Sequence, residues 1–205
     1  PLTMRLDWDN AQCQRVARQV EEIKVLGSRE KPAYVFAHIL VPHGPYNFTT
    51  DGECLSMQAS NARGHRQGYI DQVVYASRII EDLVTSLQSD GRPQPVIMIS
   101  SDEGPFPARE AGVPWQDQPD DRIKIKTAII NAYYFPNGGY DELSDEITPV
   151  NSYRVLFNAL FGTNFDLLPD RTFVVPDDTR LYEFHDVTER VRPRPEVADE
   201  VPDAQ

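Results

Sequence analysis

From Tyr69 to Ser89, apolar residues recur at Tyr69, Ile70, Val73, Ala76, Ile80, Leu83, Val84 and Leu87, the spacing of one face of an α-helix. Gly91 and Pro93 close the pattern. A helix that long and one-sided needs an apolar surface to lie on, and a short apolar run stands on either side of it. Before it, Tyr34-Val35-Phe36-Ala37-His38-Ile39-Leu40-Val41 is almost continuously apolar and ends at Pro42. Its β-branched and aromatic members suit a central strand covered on both faces. After it comes Pro95-Val96-Ile97-Met98-Ile99. Strand, helix and strand in that order predict an α/β fold around a mostly parallel sheet.

The flanking segments are weaker versions of the same signals. Asn10 to Val25 places Cys13, Val16, Val20 and Ile23 on one helical stripe, broken by Gly27-Ser28. Ile123 to Phe135 reads as a third sheet segment, and Val150 to Phe161 as a helix stopped by Gly162. Thr172 to Val175 suggests an edge strand, whereas Arg192 to Gln205 mixes proline and charge as an extended or disordered tail would. This divides the chain into an amino-terminal helical segment over 1–30, a main portion over 31–175 and a tail over 176–205. There is no internal repeat.

With 205 residues, one domain is expected. The balance of 20 Lys and Arg against 32 Asp and Glu gives −12, which repels a phosphate backbone and argues against nucleic acid as a partner. No apolar run approaches the ~18 to 20 residues needed to cross a bilayer, so the chain is expected to be soluble as given. Cys13 and Cys54 allow one disulfide or two buried thiols, and their spacing resembles no zinc motif.

The polar stretch from Pro42 to Gly68 is long for a loop inside a domain, and its composition suggests a site or a lid. His38 and His43 stand at its entrance, and His43, on a Pro/Gly-framed turn, is the better placed to reach a ligand. The plain alternative for His38 is a hydrogen-bonded histidine inside the sheet. Asp102-Glu103-Gly104 follows the second apolar run. Ligands gather at the carboxyl ends of parallel strands, so these two hard oxygen donors are the best acidic candidates, with Gly104 letting the backbone turn. Against that stands an ordinary strand-to-loop corner with solvated acids. His65 and His185 read as surface residues, Arg63 and Arg66 lie near the polar loop, Trp8 and Trp115 are unplaced, and Asp120-Asp121 reads as solvated charge.

Three stretches together carry a resemblance: Phe36-Ala37-His38-Ile39-Leu40-Val41-Pro42-His43-Gly44-Pro45-Tyr46, Tyr69-Ile70-Asp71-Gln72-Val73-Val74-Tyr75-Ala76-Ser77-Arg78, and Val96-Ile97-Met98-Ile99-Ser100-Ser101-Asp102-Glu103-Gly104. In order and spacing they resemble the alkaline phosphatase and sulfatase superfamily, more narrowly the membrane-anchored sulfatase-like proteins related to lipoteichoic acid synthases and phosphoethanolamine transferases. Asn131-Ala132-Tyr133-Tyr134-Phe135-Pro136 and Thr148-Pro149-Val150-Asn151 fit its later part, so the likeness spans about Lys31 to Gly162.

The resemblance implies a partial alkaline-phosphatase-like α/β sandwich and hydrolysis or transfer of phosphate or sulfate esters through a metal-activated nucleophile, at the extracytoplasmic face of the cytoplasmic membrane. It implies Asp102 and Glu103 as metal ligands, with Glu103 standing where the family has histidine. That exchange shifts the expected ion from zinc toward manganese, magnesium or calcium. It places His43 at the transferred phosphoryl or sulfuryl group with His38 beside it. The family's Ser, Thr or Cys nucleophile precedes the matched region, so the chain is expected to be the carboxyl-terminal portion of a larger protein, inactive alone. Its expected partners are the amino-terminal half or membrane anchor, a second copy of itself, and the ester substrate. The competing expectation is a non-catalytic binding or structural module built on that fold.

Overall fold

Helices form where the apolar periodicity is local. In a computed structural model, which describes residues 8–27, 29, 31–89, 94–105, 107 and 110–192 (only the backbone for 8–10), α1 runs Trp8–Leu26, α2 Met57–Arg63 and α3 His65–Leu87. The chain divides into two compact units, Pro1–Pro95 and Val96–Gln205.

In the first unit α1 packs on α3, and Cys13, Val16, Val20, Phe48 and Ile79 form the core, with Ile39, Val41, Tyr75 and Leu83 against it. Cys13 and Cys54 form a disulfide across 41 residues, which resolves the choice between one bond and two thiols. It ties α1 to the polar stretch. That stretch is ordered by its own backbone: Thr49 N–H donates to Glu53 O at 2.9 Å, Phe48 bridges Cys54, and Ser56 caps α2 by accepting from Ala59 N–H at 3.2 Å. The buried side of α3 carries Gly68, Gln72 and Ile79, while Ile70, Val73 and Val74 are exposed. The helix thus turns a face through glutamine inward, because its neighbours are α1 and a polar loop rather than a sheet.

Tyr34–Val41 does not form the expected central strand. It makes no ladder, and Tyr34 and Phe36 are each 76 % exposed. The carbonyls that a neighbouring strand would use are taken instead by α1: Gln19 Nε2 donates to His38 O at 2.9 Å and Gln12 Nε2 to Leu40 O at 3.0 Å.

In the second unit β1 (Ile97–Ser100) pairs antiparallel with β2 (Asn131–Tyr134), Ile97 opposite Tyr134 and Ser100 opposite Asn131. Between them a 3-10 turn, Trp115–Asp117, leads into α4 (Asp120–Thr127). The expected sheet segment Ile123–Phe135 is therefore helix first and strand only at its end. Asp120 and Asp121 in the first turn of α4, with Lys124 and Lys126 in the last, match the helix dipole and favour that outcome.

α5 (Pro149–Phe161) starts on a proline and stops at Gly162 in the left-handed region, φ 63°. Asp170 serves its amino terminus from a distance, accepting from Thr148 N–H at 2.7 Å and the Thr148 hydroxyl at 2.6 Å. Asn151, fully buried, clasps Leu168 through both its N–H and its C=O, at 2.9 and 2.8 Å. β3 (Phe173–Val174) pairs antiparallel with β4 (His185–Asp186), followed by α6 (Thr188–Val191). The core here is Trp115, Ile123, Val174 and Val187. The expected extended tail over 176–205 is folded as far as it is described, since β4, α6 and the core residue Val187 lie within it, and residues 193–205 lie outside the described residues.

The partial alkaline-phosphatase-like sandwich around a mostly parallel sheet is not what the chain forms. The named strands make two separate two-stranded antiparallel sheets, β1–β2 and β3–β4. A parallel sheet would need Tyr34–Val41 beside β1, but the first lies on α1 and the second finds β2 across a connection containing α4.

Candidate functional site

The acidic pair sits where β1 ends. Ser101 extends the ladder by one step, its N–H donating to Ile130 O at 3.0 Å and its hydroxyl accepting from Ile130 N–H at 3.2 Å. The chain then bends, and Asp102 and Glu103 occupy one exposed turn. Asp102 Oδ1 accepts from Glu103 N–H at 3.1 Å.

Gly104 seats this corner on the carboxyl end of α4. Its N–H donates to Lys126 O at 2.9 Å, and a Cβ there would stand 2.3, 2.6 and 2.7 Å from the carbonyl oxygens of Ile125, Ala128 and Lys126. The glycine is needed for close approach, not for a left-handed turn, since its φ is not among the positive ones. The side chain of Lys126 comes back over the corner, its Nζ 3.5 Å from Glu103 Oε2 and 4.9 Å from the centroid of the Trp115 ring.

His38 and His43 belong to the first unit. His38 is exposed, in no sheet, and held through its backbone by Gln19. His43 is exposed on a turn whose Val41-Pro42 and Gly44-Pro45 peptides are both cis. Its Nδ1 lies 2.6 Å from Gly44 O; a carbonyl can only accept, so Nδ1 carries the hydrogen, and Nε2 of the neutral ring keeps its lone pair. The turn is held from below by Gln72 of α3, fully buried, whose amide donates to Pro42 O and His43 O at 3.2 and 3.0 Å. The same amide's oxygen accepts from Phe48 N–H at 3.3 Å.

Arg63 completes that support. It donates to Phe48 O and Tyr46 O at 2.9 and 2.6 Å and pairs with Asp71 at 2.6 Å. His65 is not isolated: its Nε2 lies 3.2 Å from the Tyr46 hydroxyl, and the rings meet edge to face. Burial pushes the Tyr46 and Tyr69 phenols above their ordinary value.

Gln72, Arg63 and Lys126 escape a reading of chemical motifs. Gln72 alone had a signal, a polar residue within the most strongly periodic helix. The partners of Arg63 are two backbone oxygens and Asp71, those of Lys126 are Glu103 and Trp115, and none of these pairings follows a motif spacing.

As a donor set, Asp102 and Glu103 suit a hard divalent cation, and the carbonyl end of α4 adds partial negative charge beneath them. Two oxygens fall short of a complete shell. Among the described residues no group of three or more His, Cys, Asp or Glu is arranged to hold a metal. Among the described residues, likewise, no helix is long and apolar enough to cross a membrane. No family model, curated protein or solved structure matches the chain.

Proposed function

We propose that this chain is the carboxyl-terminal portion of a sulfatase-like, metal-dependent phosphate or sulfate ester hydrolase or transferase, working at the extracytoplasmic face of the cytoplasmic membrane and inactive by itself. The observation that carries the reading is the corner after β1, two adjacent exposed carboxylates seated on a helix carboxyl end by a glycine with no room for a side chain. Adjacent acids on an ordinary surface turn need no such seat.

In this reading Asp102 and Glu103 each give a carboxylate oxygen to a divalent ion, manganese, magnesium or calcium before zinc. The ion, once bound, would polarise the ester and activate the nucleophile. His43, considered within the first unit alone, offers Nε2 of its ring as a substrate contact. Gln72 and Arg63 keep the His43 turn in place. The remaining ligands and a Ser, Thr or Cys nucleophile come from the partner portion, the amino-terminal half or membrane anchor of the parent protein.

Titration of Mn2+ into the pure chain, followed by calorimetry, tests this. Binding that Asp102→Ala abolishes supports it. A fold indifferent to metal and to that substitution overturns it, and then the non-catalytic binding module, which the Glu103–Lys126 pair favours, takes its place. Turnover of p-nitrophenyl phosphate or sulfate by the chain alone would overturn the claim of inactivity.

A further inference from the structure

We infer that the outer face of α5 is where a second copy of this chain docks, helix against helix, about a two-fold axis through Phe157. This surface stands apart from the acidic corner and needs none of its chemistry.

α5 is amphipathic the wrong way round. Its buried side carries Asn151 and Ser152 beside Val155. The two polar residues attach it by hydrogen bonds, Asn151 to Leu168 and Asp170, and Ser152 through a hydroxyl 2.6 Å from that of Tyr133. Val150, Tyr153, Phe157 and Phe161 face the other way, 39 to 69 % exposed, and steps of three and four residues keep them on one stripe. After Gly162 turns the chain, the Asn158 amide holds Phe165 alongside, accepting its N–H at 2.8 Å and donating to its C=O at 3.0 Å. The Phe165 ring thereby lies 6.1 Å from that of Phe157, which in turn meets Tyr153 and Phe161 at 6.1 and 5.9 Å. A continuous aromatic surface is set before any partner arrives, so docking has little more ordering to do.

Area identifies the occupant. At ~200 Å² per ring, the exposed parts of the four aromatic side chains amount to roughly 400 Å². Val150 and Leu168, the latter held against α5 by Asn151, bring the patch to the upper end of the ~300 to 600 Å² that a monomer leaves bare. A dimer interface of standard size takes about 800 Å² from each copy, roughly two-thirds of it apolar in homodimers, which is what this face holds. The stripe carries no charge, so two copies meet without repulsion, and its spacing is that of a helix–helix seam. With the helices antiparallel, Phe157 meets its own counterpart on the axis, and Tyr153 meets Phe161 of the second copy. An anionic lipid surface fits worse, because the chain's charge is −12 and α5 has a single basic residue, Arg154.

The test is sedimentation velocity on the full chain from about 1 to about 100 µM, the weak end of what an interface of this size gives. A monomer–dimer equilibrium is expected, and Phe157→Asp or Phe161→Lys should weaken it at least about thirtyfold. Circular dichroism verifies each fold, and Phe161→Lys, at the most exposed of the four stripe positions, covers a folding failure of Phe157→Asp. The axis is checked with Phe157→Cys, whose thiol is the only free one once Cys13 and Cys54 are joined. Oxidation by copper–phenanthroline should give a covalent dimer, and Arg18→Cys, on the exposed side of α1, should give none at the same concentration. A monomer at every concentration overturns the inference, as does a dimer that both stripe substitutions leave intact or that Arg18→Cys cross-links as readily. Binding of a monomeric wild type to phosphatidylcholine vesicles, lost in Phe161→Lys, makes the face a lipid contact and overturns it as well.

Discussion

Arg63 in the first unit and Arg190 in the second solve the same problem with the same fork. Arg63 donates to Tyr46 O and Phe48 O and pairs with Asp71; Arg190 donates to Gln116 O and Gln118 O and pairs with Asp120 at 2.7 Å. Each gathers carbonyls of a segment without regular pairing and ties them to a helix. The difference is burial: the side chains of the first pair are both 15 % exposed, those of the second 34 % and 44 %. Where the ion pair itself is sealed from water, the arginine and its acid depend wholly on each other, and where the pair is partly wet, water shares that task even though the arginine still serves the buried backbone of Gln118.

That contrast can be pressed experimentally, region by region, with hydrogen exchange reporting each unit. The largest effect belongs to the cross-link that only the first unit has. Reducing Cys13–Cys54 frees a loop of 41 residues and should cost about 4 kcal/mol by loop entropy, seen as lost protection in α1 and α3 and none in β1 or β2. Equal loss in both units would break the comparison.

Arg63→Met comes next, at about 3 kcal/mol, since it strands Asp71 and two carbonyls away from water; urea denaturation measures it. Arg190→Met should cost less, about 2 kcal/mol, because Asp120 can turn to solvent while only the backbone of buried Gln118 loses a donor away from water. If the two arginine variants prove equally costly, burial is the wrong explanation. The smallest effect is a pH response of the second unit.

Asp177 is held well below the usual carboxylate range by the Arg180 guanidinium and then by the Thr179 hydroxyl and N–H, and Asp186 is lowered by Thr188 and, less, by Arg171 and Arg192. Carboxyls held low in the fold stabilise fully above their unfolded value near about 4, begin to lose that contribution as pH falls below it, and lose it completely only once pH has passed through the lowered folded value. Protection around β3, β4 and α6 should therefore decline progressively from roughly pH 5 downward and keep declining below about pH 3, and Asp177→Asn should blunt the decline.

How far the sequence spoke depends on how local each interaction is. α1, α3 and α5 were legible within a few residues at their ends, because a helix closes its hydrogen bonds within one turn of itself. Gly162 was legible as a stop for the same reason. Tyr34–Val41 was not: apolar and β-branched content says that a segment could be a strand, but only a partner makes it one, and the glutamines that took its carbonyls lie on α1. The segment after Ile123 failed differently, since its apolar residues suggested sheet while its charges suggested helix, and the charges prevailed. At the candidate site, the position of Asp102, Glu103 and Gly104 after a strand could be read from the run Ile97–Ile99. The grip of Lys126, and the packing of Gly104 that differs from the turn expected of it, could not, because both depend on where α4 docks.

Gly104 also divides the corner into a part that can be rewritten and a part that cannot. Three carbonyl oxygens occupy the space of its missing Cβ, so a saturation library at this position should return glycine alone, with every other codon forcing α4 off its seat. The neighbouring Glu103, 44 % exposed and held by its pair with Lys126, has room for another side chain. A protein engineer wishing to change the chemistry of the corner can work at Glu103 and must leave the residue after it untouched.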